Sequence, residues 1–180
     1  MGTHRLKPHV AEPPRGISAV DVRWTEFVDG RLMLRWFVNG QDALKVPAFS
    51  GMSRGDDLWQ TTCFELFIRD REGAGYTELN FSPSQRWAAY RFTGYREGRS
   101  DLDLGQPPLI AAAAGDQIYV LTVTLDDAVL DGGDVAGLNA VIEEKCGRKS
   151  YWALAHPAGD KPDFHDPACF ALPLGAAQRT

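Results

Sequence analysis

From Ile17 onward the chain is cut into short alternating or apolar runs by glycine, proline and aspartate, and no stretch keeps a sustained helical period. Such a chain buries one face of each run by pairing it with neighbours, which points to antiparallel strands joined by turns. The first example is the plainest. Ala19 to Val28 is followed by Asp29-Gly30 and then by Arg31 to Val38, in which Leu32, Leu34, Trp36 and Val38 fall on one face. Asp-Gly between two such runs is a strong hairpin signal, because both residues tolerate positive φ. Further strands are expected at Thr61 to Arg69, Tyr76 to Ser82, Trp87 to Thr93, Leu109 to Ala114, Ile118 to Leu125, Leu138 to Glu144, Ser150 to His156 and Cys169 to Leu172. Eight or more short strands predict an all-β fold, an antiparallel β-sandwich of jelly-roll type. Asn39 to Leu58 reads as a long loop of the kind that carries function, Asp126 to Leu130 as one helical turn, and Ala111 to Ala114 as a strand under a crowded neighbour.

The expected organisation is an extended or disordered segment over 1–16, a single domain over 17–175 and a tail over 176–180. With 180 residues, 44% of them hydrophobic, the chain has the apolar content to fold on its own. A formal net charge of −5 and scattered basic residues leave no footprint for a phosphate backbone, so nucleic acid is not the expected partner. Cys63, Cys146 and Cys169 are too widely spaced for a metal cluster and odd in number for a disulfide framework, which implies a reducing compartment. The opening MGTHRLKPHVAEPPRG has no apolar signal core, and no run approaches the ~20 apolar residues of a membrane span. A cytoplasmic protein without a membrane partner is expected; its oligomeric state is not written in the sequence.

The middle of the chain allows a register. If Asp70 to Gly75 closes a hairpin, Arg69 faces Tyr76, Phe67 faces Glu78, Glu65 faces Asn80 and Phe64 faces Phe81, with the apolar pairs on one side. A turn at Pro83 to Arg86 then sets Ala88 beside Phe81, Tyr90 beside Leu79, and Arg91 beside Glu78. The face opposite the core carries Cys63, Glu65, Phe67, Tyr76, Glu78, Asn80, Trp87, Ala89 and Arg91. Carboxylate, amide and guanidinium groups beside aromatic rings make a platform that suits sugars, since rings offer a flat apolar surface while polar groups fix orientation. The same pattern also describes a solvated outer face with cross-strand ion pairs.

DDLWQTTCFELFIRD, followed by GYTELNFSPSQRWAAY and KSYWALAHPAGDKPDFHDPACF, resembles the DOMON-like relatives of family 9 carbohydrate-binding modules. The resemblance implies a jelly-roll fold that holds a sugar between two tryptophans, with charged and amide side chains on the intervening strands. It implies Trp59 and Trp152 as the stacking residues, Glu65 as the hydroxyl-binding carboxylate, and Asn80, Arg86 and Arg91 as further polar contacts. The register favours Asn80 and Arg91 over Arg86. Six residues of extended strand span about 20 Å, so Trp59 reaches a sugar on Glu65 only from a loop folded back over the face.

Alternation leaves Trp152 open, because Leu154 and His156 share its face while Tyr151 and Ala153 share the other. Trp24, Trp36 and Trp87 read as core or rim, and His165 in PDFHDP as a turn cap. The expected function is therefore non-catalytic carbohydrate binding. Haem held by Met33, Met52, His156 or His165, as in the haem-binding branch of the DOMON group, is the alternative ligand, and a structural or interaction domain is the other alternative. As an enzyme the chain would use Glu65 and Glu78 as acid and base, but the expected Arg91 neighbour opposes the raised pKa that an acid needs. No cofactor is expected. Calcium in the aspartate-rich loops DLDLG and DGGD is the one structural ion considered, although both lack the ligand count of a recognised calcium loop.

Overall fold

A computed structural model describes residues 2–175; the expected tail over 176–180 lies outside the described residues. The strands are β1 (Gly2–Pro8), β2 (Ala19–Glu26), β3 (Arg31–Asn39), β4 (Cys63–Asp70), β5 (Tyr76–Phe81), β6 (Trp87–Phe92), β7 (Ser100–Asp101), β8 (Leu109–Ala114), β9 (Ile118–Asp126), β10 (Gly133–Glu143), β11 (Lys149–Ala153) and β12 (Leu172–Pro173). Short 3-10 turns at Leu58–Gln60, Asp127–Leu130 and Pro167–Cys169 complete the secondary structure, with no α-helix among the described residues. All-β architecture is as the alternation predicts.

Strand pairing makes one continuous antiparallel sheet in the order β7-β6-β5-β4-β10-β11-β1-β2-β3-β9-β8, with β12 also on β10. The sheet curls into a half-barrel and its two halves meet across a core. Trp36 on β3 stands 5.6 Å from Phe64 on β4 and 6.1 Å from Phe81 on β5, ring centre to ring centre. Leu32, Leu34, Trp36 and Val38 are all fully buried, so the hairpin alternation places the core face correctly. Gly30, at φ 80°, makes the β2–β3 turn that the Asp-Gly pair predicts.

Three expectations are corrected. Gly2–Pro8, expected to lie outside the domain, is a strand: Gly2 to Leu6 pair with β2, while Lys7 and Pro8 pair with β11. Its sequence is polar except for Leu6, so main-chain hydrogen bonds rather than an apolar stripe hold it. Ala111 to Ala114 are exposed on the edge strand β8 instead of lying under a neighbour. The segment from Cys169 to Leu172 is the end of a 3-10 turn followed by the two-residue β12, not a strand throughout.

The register of β4 on β5 is the one the alternation predicts, with Phe64 on Phe81, Glu65 on Asn80 and Phe67 on Glu78. The register of β5 on β6 differs by one residue. The tight turn Ser82 to Arg86 is closed by the Ser82 N–H donating to the Arg86 carbonyl at 2.9 Å, with Gln85 at φ 69°. It sets Trp87, not Ala88, opposite Phe81. One residue of slip exchanges the two faces of a strand, so Trp87, Ala89 and Arg91 turn to the core side, while Ala88, Tyr90 and Phe92 turn outward.

Trp152 belongs to the core. It is 2% exposed, pairs with Ala140 on β10, and its indole N–H donates to Ser150 Oγ at 2.9 Å. Truncating a buried aromatic costs about 3–5 kcal/mol. Trp152→Ala is therefore expected to lower the free energy of urea unfolding by that amount, whereas Arg91→Ala, which removes a half-exposed ion pair with Asp70, should change it by less than about 1 kcal/mol. Near-equal small effects would contradict this assignment of the core.

Candidate functional site

Away from the core, β6, β5, β4, β10 and β11 present a second face. Their registers align Ala88, Asn80, Glu65, Asn139 and Ala153 in one cross-strand row. Polar side chains occupy the middle of that row and alanines its ends. The next row holds Tyr90, Glu78, Phe67 and Gly137. At Gly137 a side chain would come within 3.0 Å of the Cys169 carbonyl oxygen, so glycine lets the β11–β12 segment lie directly on β10. Three connections wall this face: the turn at Leu58–Gln60, the β6–β7 loop and the β11–β12 loop. Together they enclose a cavity of about 650 Å³.

Glu65 lies on the cavity floor. It is 3% exposed, and its carboxyl has no hydrogen-bond partner among the described residues. Its neighbours are equally underused: Asn80 donates through Nδ2 to Glu78 Oε1 at 2.7 Å while its Oδ1 has no partner, and the buried Asn139 amide has none at either atom. Burial holds the Glu65 carboxyl well above the ordinary carboxylate value of 4.5, and the Glu78 charge adds to the effect. Burial also raises Glu78, against the Asn80 hydrogen bond and the more distant charges of Arg96 and Arg99.

Aromatic rings form one side of the cavity. Tyr76 and Phe92 stack at 4.7 Å, and the edge of His165 meets Phe67 at 5.2 Å and Phe92 at 5.3 Å. Burial, helped by Arg96 and opposed by Asp163, pushes the His165 pKa down to about 4, so the ring is neutral at pH 7. The Arg96 N–H donates to the Tyr76 hydroxyl at 3.1 Å, leaving that hydroxyl to donate to His165 Nδ1 at 2.7 Å. The remaining ring proton then sits on Nε2, 3.7 Å from Glu78 Oε2. Asp163, rather than His165, caps the turn, accepting the His165 N–H at 3.1 Å. At the rim, Trp59 is 48% exposed, whereas the other four tryptophans are at most 9% exposed.

Of the residues expected at a site, Trp59, Glu65 and Asn80 line this one cavity. Arg91 is on the other side of the sheet, donating to Asp70 and Thr77 beside a separate cavity of about 700 Å³. Arg86 donates to the Arg54 carbonyl at 2.6 Å and packs against Gly55. Trp152 is in the core, and its neighbour Tyr151 faces the cavity instead. Tyr90, Arg96, Arg99 and Phe164 are lining residues that sequence reasoning did not single out. For Tyr90 the missing information was the length of the turn before it; for the loop residues no periodicity exists to read.

The haem candidates do not converge in the same way: Met52 is exposed on its loop, His156 Nε2 bonds the Lys7 carbonyl at 2.8 Å, and His165 bonds Tyr76. In the aspartate loops, Asp134 forms a two-pronged pair with Arg69, and Asp103 accepts from the Gly105 N–H. No group of three or more His, Cys, Asp or Glu among the described residues is arranged to hold a metal ion.

A carboxyl whose pKa is higher in the folded chain stays protonated there after the unfolded chain has ionised, so its cost to stability appears as pH rises above about 4.5. Glu65→Gln removes that cost. Its stability relative to the parent protein is expected to rise between pH 4 and pH 8 in urea unfolding. His165, with an ordinary value of 6.5 and a native value of about 4, acts in the other direction, destabilising the fold as pH falls through that window in both proteins. A stability difference independent of pH would contradict the burial of the Glu65 carboxyl.

No protein-family model matches the chain, and no curated protein does. Solved structures do. A candidate carbohydrate-binding protein from Bacteroides uniformis superposes with a TM-score of 0.62 at 17% identity, over 94% of this chain and 84% of that one. A family 9 carbohydrate-binding module from Caldicellulosiruptor kristjanssonii in complex with glucose gives 0.45 at 11% identity, over 86% and 77%. Such a module from the same organism in complex with cellotriose gives 0.43 at 13%, over 82% and 73%. The chain thus shares the fold of the Bacteroides protein.

Proposed function

We propose that the chain binds a carbohydrate or sugar-like small molecule in the cavity over β4, β5 and β10 and leaves it chemically unchanged. The observation that carries this reading is the floor: the Glu65 carboxyl and Asn80 Oδ1, with the Asn139 amide beside them in the same cross-strand row, have no hydrogen-bond partner among the described residues. Leaving a buried polar group unpaired costs about 1–3 kcal/mol, and a polyhydroxylated ligand on Glu65 and Asn80 supplies the missing hydrogen bonds. Trp59, Tyr90 and Tyr151 line the same space and suit the C–H faces of a sugar ring. The description of the Bacteroides protein with the same fold is in keeping with this reading.

Binding rather than turnover is supported by the carboxyls. Acid–base catalysis with two carboxyls needs both free to act on one reacting bond, whereas Glu78 is held by the protein, with Oε1 accepting from Asn80 at 2.7 Å and Oε2 lying 3.7 Å from His165 Nε2.

Because Trp59 is the exposed indole at the cavity rim, tryptophan fluorescence reads the site. A panel of neutral and charged mono- and oligosaccharides is expected to contain at least one that shifts the emission in a saturable way. Trp59→Ala should weaken that sugar in calorimetry by about 10-fold or more, equivalent to ~1.4 kcal/mol. No response to any sugar at millimolar concentration would overturn the proposal.

A further inference from the structure

We infer that the group seated against Glu65 is a protonated amine, which makes the ligand class an amine-bearing sugar with an unacetylated amino group. This deepens the ligand reading above and rests on it. Once a neighbouring cation ionises it, Glu65 offers only acceptors on the floor, and Asn80 adds Oδ1, since its Nδ2 is already committed to Glu78 Oε1. The ligand must therefore bring donors. A hydroxyl brings one and no charge; an ammonium brings three and a compensating positive charge.

The charge matters because no Lys or Arg among the described residues pairs with Glu65. A buried carboxylate with no counter-charge is several kcal/mol unfavourable, and among the described residues neither Glu65 nor Glu78 forms an ion pair with Lys or Arg. The cations that line the cavity are committed to other partners or sit at its mouth. Arg96 pairs with Asp163 at 2.7 Å, Arg99 stands over the Tyr90 ring at 5.0 Å, and Lys161 is exposed at the mouth. His165 is neutral, with its Nε2 3.7 Å from Glu78 Oε2. The lining then holds four carboxyl groups, Asp57, Glu65, Glu78 and Asp163, against three cationic side chains, Arg96, Arg99 and Lys161. Aromatic walls at Trp59 and Tyr90 are compatible with a cation.

The test is calorimetry at pH 6.5 with glucosamine, galactosamine and mannosamine, each against its parent hexose and its N-acetyl derivative. At least one amine is expected to bind about 10-fold or more tightly than both counterparts. That preference should fall toward one in Glu65→Gln, remain in Arg91→Ala, and fall toward one in the parent protein at pH 9.5, where an amine of pKa ~8 is neutral. The last measurement needs no variant to fold. Hexoses binding as tightly as their amines would overturn the amine and leave the sugar site standing. Failure of these nine sugars and of the wider glycan panel would overturn both.

Discussion

A carboxyl taken out of water has to be matched, and in this fold Glu65 is buried on a sheet face with nothing among the described residues to match it. That single mismatch organises the site. Asn80 and Asn139 flank it in register, Ala88 and Ala153 end the row without filling the hollow, and loops from three separate parts of the chain close over it. A chain optimised for stability alone would place a hydrophobe or a paired ion there. Retaining an unmatched carboxyl beside two underused amides is the kind of local cost that marks a binding surface, where the missing partner arrives with the ligand.

The curled sheet supplies the rigidity this needs. One face of β4, β5 and β10 packs Phe64, Leu79 and Leu138 into the core, and the other carries Glu65, Asn80 and Asn139. Floor residues are therefore fixed by the same strands that bury the central indole of Trp36. The loop-borne parts, Trp59 at the rim and Asp163 to His165 opposite, sit on connections anchored by their own contacts, such as the 3-10 turn at Leu58–Gln60 and the bond from Tyr76 to His165.

Much of this was legible in the sequence wherever two faces differ in polarity. CFELFIRD and YTELNF alternate cleanly, and their pairing, with Glu65 beside Asn80, follows from alternation alone. WAAYRF does not alternate in polarity: alanines, aromatics and an arginine fit either face, so its orientation hangs on the turn before it. Gln85 in a left-handed conformation adds the residue that moves Arg91 to the core side and Tyr90 into the cavity. Trp152 was undecided for the same reason, with mixed neighbours on both faces. β1 escaped because polar GTHRLKP has one inward apolar residue and is held by its main chain. Contributions from Arg96, Arg99 and Asp163 depend on loops meeting across the fold, which no local pattern encodes. Alternation likewise gives strands without saying that β1 joins them into one curled sheet.

The central claim, that the ligand is held on the Glu65 row, is tested most directly by a crystal structure of the protein grown with a bound saccharide. The account predicts electron density for the ring within hydrogen-bonding distance of the Glu65 carboxyl and Asn80 Oδ1, beneath the Trp59 indole. A saccharide found instead beside Asp70 and Arg91, with the Glu65 row untouched, would contradict it.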